Sequence, residues 1–139
     1  MSKLGTLLIV AVIACASCAS PGARGEEPSL EDGTASALFA YASNYAAQKG
    51  YTFGDGAEYF LSQAAQEGAS DIQAAPLEKR RELIKEARAN FGLFIDEMIK
   101  ASREIPGYAQ QHPGKIGEQT YFKASSLCPI WPICKKPKR

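Results

Sequence analysis

Hydrophobic residues recur at helical spacing in three segments between residues 35 and 104. The first segment predicts a helix over residues 35–49, with Thr34 as its N-cap and Gly50 as its left-handed C-terminal stop. The apolar stripe of this helix consists of Leu38, Phe39, Ala42, Tyr45 and Ala46. The second segment predicts a helix that begins at Asp55 and ends near Gly68, with Asp55 and Glu58 spaced as in a capping box. Its apolar residues are Tyr59, Phe60, Ala64 and Ala65.

The third segment predicts a long helix over residues 77–104, with Pro76 in its first turn. Its apolar residues alternate three and four apart in a heptad seam: Ile84, Ala87, Phe91, Phe94, Met98 and Ala101. Glu78, Glu82 and Glu86 lie on the opposite face, which we interpret as a solvated helix surface. Gly92 in the middle of this helix predicts either the close approach of another backbone or a bend.

After residue 105 the helical pattern ends. Residues 107–117 are polar and rich in Gly and Pro, so we predict a loop. Residues 119–126 could form a strand paired with residues 51–53 or a helical turn, and the pattern does not choose between them. The fold class is all-α: about three helices in a domain over residues 34–127, with an irregular C-terminal arm.

The N-terminus has the three parts of a secretory signal peptide. Lys3 supplies a positive start, an uncharged apolar run follows, and small residues lie at the exit. We therefore assign residues 1–19 to a signal, with a retained membrane span as the alternative. Residues 20–33 are rich in Pro, Gly, Ser and Glu and predict a flexible linker.

A cysteine near the end of the leader follows a short run of branched and small residues. Residues 12–15, Val-Ile-Ala-Cys, resemble the lipobox of bacterial lipoprotein precursors. The resemblance covers the leader alone and implies lipidation of a cysteine, at Cys15 or at Cys18. Both are followed by alanine rather than aspartate, which the resemblance associates with the outer membrane. Plain cleavage after Ala19 or Ser20 is the alternative.

The two distal cysteines, Cys128 and Cys134, would be oxidised to a disulfide in an exported chain. Lipidation at Cys18, or cleavage after Ala19, leaves no spare thiol, whereas lipidation at Cys15 leaves Cys18 beside the anchor. The number and positions of the cysteines therefore agree with export but do not identify the modified residue.

Composition narrows the class of partner. The chain has 139 residues, 45% of them hydrophobic, and a formal net charge of +1. A balance so near neutral gives no reason to expect nucleic acid as the partner. Basic residues nevertheless accumulate at the C-terminus, where no acidic residue follows Lys123.

Candidate catalytic and metal-binding residues are sparse. His112, the single histidine, stands in a predicted loop without a neighbouring partner to orient it. One histidine and one cysteine pair do not supply a zinc ligand set, so we expect no metal or cofactor. The glycine-dense residues 50–56 lack the order of a phosphate-binding loop and predict a turn, with Tyr51 and Phe53 packed over it. We therefore expect that the protein is not an enzyme.

The C-terminal arm, residues 128–139, is the remaining candidate site. A disulfide would present an apolar loop with a basic flank, either as a structural tie or as a binding surface. The candidate partner-binding residues are Ile130, Trp131, Ile133, Lys135, Lys136, Lys138 and Arg139. We therefore expect an exported, lipid-anchored, non-catalytic protein that binds an envelope protein or anionic envelope surface, as an assembly accessory or immunity-type protein. The alternative is a secreted, unanchored effector or inhibitor that acts through this arm.

Overall fold

Five α-helices make up most of the chain described by the computed structural model, which covers residues 27–127 and 130–134. The helices are α1 (Ala35–Gln48), α2 (Asp55–Ala74), α3 (Leu77–Glu104), α4 (Tyr108–Gln111) and α5 (Glu118–Ala124). Two short strands, β1 (Thr52–Phe53) and β2 (Lys115–Ile116), and two 3-10 turns, Leu30–Gly33 and Ser125–Leu127, complete the elements. The prediction of an all-α fold is confirmed.

Both ends of α1 form as the sequence predicts. The Thr34 side chain accepts a hydrogen bond from the N–H of Ala37 at 3.2 Å, which satisfies one of the free donors of the first turn. At the other end, Gly50 adopts a φ of +88°. The N–H of Tyr51 then donates to the carbonyl of Ala46 at 2.9 Å, which closes a Schellman-type cap.

α2 begins at Asp55, so its N-cap is Gly54 and the prediction of Asp55 as the cap is wrong. The helix also continues past Gly68 to Ala74. Gly68 is buried, and a Cβ there would lie 3.1 Å from the ring of Pro132. This glycine therefore serves close packing rather than helix termination.

α3 has the predicted bounds, and its heptad seam is buried. Ile84, Ala87, Phe91, Phe94 and Met98 are fully buried, because this stripe faces α1, α2 and α5. The opposite face carries exposed glutamates, as expected for a solvated surface. None of the helices in the two described ranges is both long and apolar enough to cross a bilayer. The predicted leader lies outside these ranges.

The segment predicted as a loop, residues 107–117, contains α4 and β2. β2 pairs in parallel with β1, Thr52 opposite Lys115 and Phe53 opposite Ile116. Residues 118–124 form the helix α5, so of the two alternatives for this region the helical one is correct. Residues 51–53 find their strand partner in β2 instead.

The packed structure includes residues 28–33, which the sequence assigns to the linker. Pro28 and Gly33 are buried, and the carbonyl of Pro28 accepts a hydrogen bond from Arg81 Nε at 3.0 Å. A Cβ on Gly33 would lie 3.1 Å from both Ile72 and Ile84, so the 3-10 turn lies directly on α2 and α3. These residues thus pack beside the N-terminal half of α3.

Candidate functional site

Residues 130–134 of the C-terminal arm lie across α2 and α3. The indole Nε1 of Trp131 donates a hydrogen bond to the Asp71 carboxylate on α2 at 2.6 Å. The Asn90 side chain on α3 donates to the Trp131 carbonyl at 2.5 Å. Ile133 is only 6% exposed and belongs to the core. We call residues 130–134 the clasp, because they join two helices that are also consecutive in the chain.

The predicted binding role of this arm stays a prediction. Ile130 and Trp131 are half-buried against the core, and Ile133 is buried in it. Cys134 is disulfide-bonded. The remaining residues of these predictions lie outside the described ranges: Cys15, Cys18, Cys128, Lys135, Lys136, Lys138 and Arg139.

A surface that the sequence did not predict lies between α2 and α5. Tyr59 is 60% exposed and Phe122 is 53% exposed, and the half-buried ring of Phe60 lies beside both. The ring centroids of Tyr59 and Phe60 are 5.4 Å apart, and those of Phe60 and Phe122 are 5.3 Å apart. Both pairs meet edge to face, a favourable geometry for aromatic rings. We call Tyr59, Phe60 and Phe122 the aromatic patch.

A signal for this patch was present in the sequence. Tyr59-Phe60 and Tyr121-Phe122 are adjacent aromatic pairs, and adjacent helical residues point about 100° apart. A single buried stripe accommodates one ring of each pair more readily than both. In the structure Tyr121 is buried against Phe94, with 5.2 Å between ring centroids, whereas its neighbour Phe122 faces solvent. Of the four apolar residues named for α2, Tyr59 is the one that is exposed.

Polar residues surround the patch. Gln63 follows Tyr59 by one turn on α2, and Glu118 and Gln119 precede Phe122 by one turn on α5; all three are exposed. Lys123 is exposed next to Phe122, and its Nζ lies 4.0 Å from the Glu104 carboxylate. This rim carries charged residues of both signs, and its basic residue is close to an acidic partner.

A cleft of about 490 Å³ opens beside the pairing of β1 with β2. It is lined by His112, by Gly54 and Gly56 of the glycine-dense turn, and by Glu118, which lies directly against Gly56. His112 is exposed and its ring stacks near Tyr108, 4.7 Å between centroids. Burial raises the pKa of the Tyr108 hydroxyl. Within the described chain His112 has no ion pair, so no carboxylate orients it for acid–base chemistry.

A smaller pocket of about 180 Å³ lies on the other side of β1. Its walls include the half-buried rings of Phe39, Tyr51 and Phe53, and Glu58 stands at its edge. The prediction that Tyr51 and Phe53 pack over the joint between two helices is confirmed, since both contact the core. Glu58 is exposed and forms no ion pair with another described residue.

These surface features share one element, because α2 contributes Gly56 to the cleft, Glu58 to the small pocket and Tyr59 to the aromatic patch.

No protein-family model, curated protein or solved structure matches the chain. The binding properties of the cleft, the small pocket and the aromatic patch are therefore inferred from their own side chains. Across residues 27–127 and 130–134, no three His, Cys, Asp or Glu residues are grouped so that they could hold a metal ion.

The described chain starts away from these features. Glu27 forms an ion pair with Lys85 on α3 at 2.8 Å. Tyr121, next to Phe122, packs on Phe94, and Lys123 is close to Glu104. At about 1.5 Å per residue, Phe94 and Glu104 lie about 14 Å and about 28 Å further along α3 than Lys85. The N-terminal connection and the aromatic patch are therefore well separated along the longest helix.

Proposed function

We propose that this protein is exported, lipid-anchored and non-catalytic, and that it binds another protein of the cell envelope through the aromatic patch. The observation that carries the proposal is the exposure of Tyr59 and Phe122 around Phe60. Large aromatic side chains are the residue type most enriched at the centres of protein interfaces. Two of them, more than half exposed and each in contact with Phe60, supply an apolar contact surface for a partner.

The charge around the patch favours a protein partner over a lipid surface. Peripheral binding to anionic lipid relies on several Lys or Arg residues near the apolar contact. Here the rim has Lys123, already close to Glu104, and the acidic Glu118. An aromatic centre inside a mixed polar rim corresponds to the anatomy of a protein–protein interface.

The contacts of the clasp are the reason for locating binding on the patch rather than on the arm. Trp131 is held by hydrogen bonds at both its indole and its carbonyl, and Ile133 is buried. A partner that used these side chains would have to detach them from α2 and α3. The patch requires no such rearrangement, because Tyr59 and Phe122 are already exposed.

The leader supports export and anchoring. A lipid on Cys15 or Cys18 would hold the chain at the membrane, about ten residues before Pro28, the first buried residue that the structure describes. The patch would then lie further along α3 than the point of attachment, on a part of the domain that another envelope protein can reach.

Photo-crosslinking in the source cells tests the proposed surface. Benzoylphenylalanine in place of Phe122 should give a crosslinked product of defined mass. The same group in place of Leu93, an exposed apolar position on α3, provides the matched control because Leu93 is 57% exposed. The product at position 122 should disappear with Tyr59→Ser. Products of equal yield at both positions, or none at 122, would reject the patch as the binding surface.

Fatty-acid labelling tests the anchor separately. The intact chain should incorporate labelled fatty acid, and either Cys15→Ser or Cys18→Ser should abolish the incorporation. An unlabelled mature chain would contradict anchoring while leaving the crosslinking result to stand by itself.

A further inference from the structure

The small pocket beside β1 combines three kinds of group. Phe39 and Phe53 meet edge to face with 5.7 Å between their centroids, and Tyr51 adds a third ring. Glu58 supplies a carboxylate, and Ser43 and Thr52 supply hydroxyls. The space, about 180 Å³, equals the share of about six water molecules in the liquid at about 30 Å³ each. It is large enough for the end of one long side chain.

We infer that this pocket binds the ammonium end of a lysine side chain presented by the partner protein. The inference rests on the proposed function for the partner being a protein. Aromatic faces attract a cation through the negative charge above the ring, and the methylene stem of lysine packs on the same surfaces. Glu58 adds a direct charge interaction at the edge of the pocket.

The protein uses the same combination internally. Lys49 Nζ lies 4.9 Å from the centroid of the Tyr45 ring and 3.2 Å from the Asp96 carboxylate. One ring and one carboxylate thus hold a lysine between α1 and α3. The pocket offers more rings and one carboxylate, and none of the chain's described cations forms an ion pair with Glu58.

The polar groups favour a primary ammonium over a quaternary one. A lysine ammonium has three N–H donors, and Glu58, Ser43 and Thr52 provide oxygen acceptors around the pocket. A quaternary ammonium has no donor and would leave these oxygens without a bond. The chemistry therefore distinguishes a lysine side chain from a choline headgroup.

The test uses Nα-acetyl-lysine amide as the probe and the mature chain as the receptor. Amide resonances of Thr52, Phe53 and Glu58 should shift together as the probe is added at millimolar concentration. Glu58→Gln should weaken binding about three- to fivefold, as expected for one exposed charge pair. Phe53→Leu keeps an apolar wall but removes the ring, and should weaken binding to a similar extent. Glu86→Gln is the matched control, an exposed carboxylate on α3, and should have no effect.

Two further probes decide the chemistry. The Nε-acetylated form of the same compound lacks the charge and should not shift the pocket resonances. Choline should shift them less than the lysine amide. Equal binding of the acetylated form, equal or tighter binding of choline, or an unchanged affinity in Glu58→Gln would each overturn the inference.

The proposals for the aromatic patch and for the small pocket can be rejected independently of each other. Tyr59→Ser should remove the product crosslinked at position 122 and leave the binding of Nα-acetyl-lysine amide unchanged, because Tyr59 does not line the small pocket. If the wild-type chain does not bind the probe but position 122 still crosslinks to the partner, only the proposal of a lysine pocket is rejected.

Discussion

The ring of Tyr45 on α1 lies directly against Gly92 on α3. A Cβ at Gly92 would be 3.1 Å from Cε2 of that ring. One helical turn further on, the Tyr45 hydroxyl donates to the Asp96 carboxylate at 2.9 Å. The glycine in the middle of α3 thus makes room for an aromatic side chain. The sequence had predicted a backbone approach or a bend at this position.

Gly92→Ala should destabilise the protein by about 1 kcal/mol, although alanine is the better helix former. The added methyl group would meet a ring that its hydroxyl ties to Asp96, and overpacking of this kind costs about 1–3 kcal/mol. In a Tyr45→Ala background the same substitution should become stabilising by about 1 kcal/mol. Urea unfolding of the four variants gives the coupling energy. Equal effects in both backgrounds would mean that the ring does not constrain Gly92.

Phe91→Ala should lower the free energy of unfolding by about 3–5 kcal/mol, because Phe91 is fully buried in the seam of α3. Glu82→Ala on the exposed face should change it by less than about 0.5 kcal/mol. Chemical denaturation with far-UV detection measures both. Similar losses for the two variants would show that the faces of α3 are assigned incorrectly.

Trp131→Ala should destabilise the domain by about 3 kcal/mol, at the lower end for a large aromatic residue because Trp131 is only half-buried. The variant loses the indole contact with Asp71 as well as its packing. Leu93→Ala serves as the control, since Leu93 is exposed and its loss should be nearly neutral. An unchanged urea midpoint for Trp131→Ala would show that the clasp contributes nothing to stability.

Stability should fall as the pH rises above about 10. Burial raises the pKa values of Tyr45, Tyr108 and Tyr121, and the hydrogen bond from Tyr45 to Asp96 acts in the same direction for Tyr45. A raised pKa in the folded state means that the unfolded chain loses its proton first, so alkali favours unfolding. The stabilisation from these hydroxyls is complete at pH values below their pKa in the unfolded chain. It is lost as the pH rises through their pKa in the folded state.

Urea midpoints at a series of pH values from about 8 to about 11 measure this dependence. Tyr45→Phe should make the alkaline decline shallower, because one of the three groups is removed. Tyr59→Phe is the control, since the Tyr59 ring is largely exposed. Midpoints that do not change with pH would contradict the burial of these hydroxyls.

The elements that the sequence predicted correctly have local determinants. The cap at Thr34, the stop at Gly50 and the seam of α3 each depend on residues within a turn or two of one another, and all three are confirmed. Gly68 shows where local rules fail. It resembles a helix stop, but its role is set by Pro132, which is far away in sequence.

The candidate surfaces depended on distant pairings as well. The aromatic patch requires α5 beside α2, and the small pocket requires β1 to lie against α1. Neither juxtaposition has a sequence signature, because a two-residue strand such as β1 leaves almost no periodic pattern. The adjacent aromatic pairs show that some rings must face solvent, but they do not show which rings meet.

The clasp also determines when the domain can finish folding. Helices form from local contacts, so α1, α2 and α3 can develop as the chain is synthesised from its N-terminus. The groove between α2 and α3, however, is covered by Pro132 and Ile133, which are synthesised after all five helices. Until they arrive, Gly68 and the apolar residues around it lack their final neighbours. The native state is thus completed by a segment that is made after the helices, and a chain interrupted before Pro132 would retain its helices without a closed core.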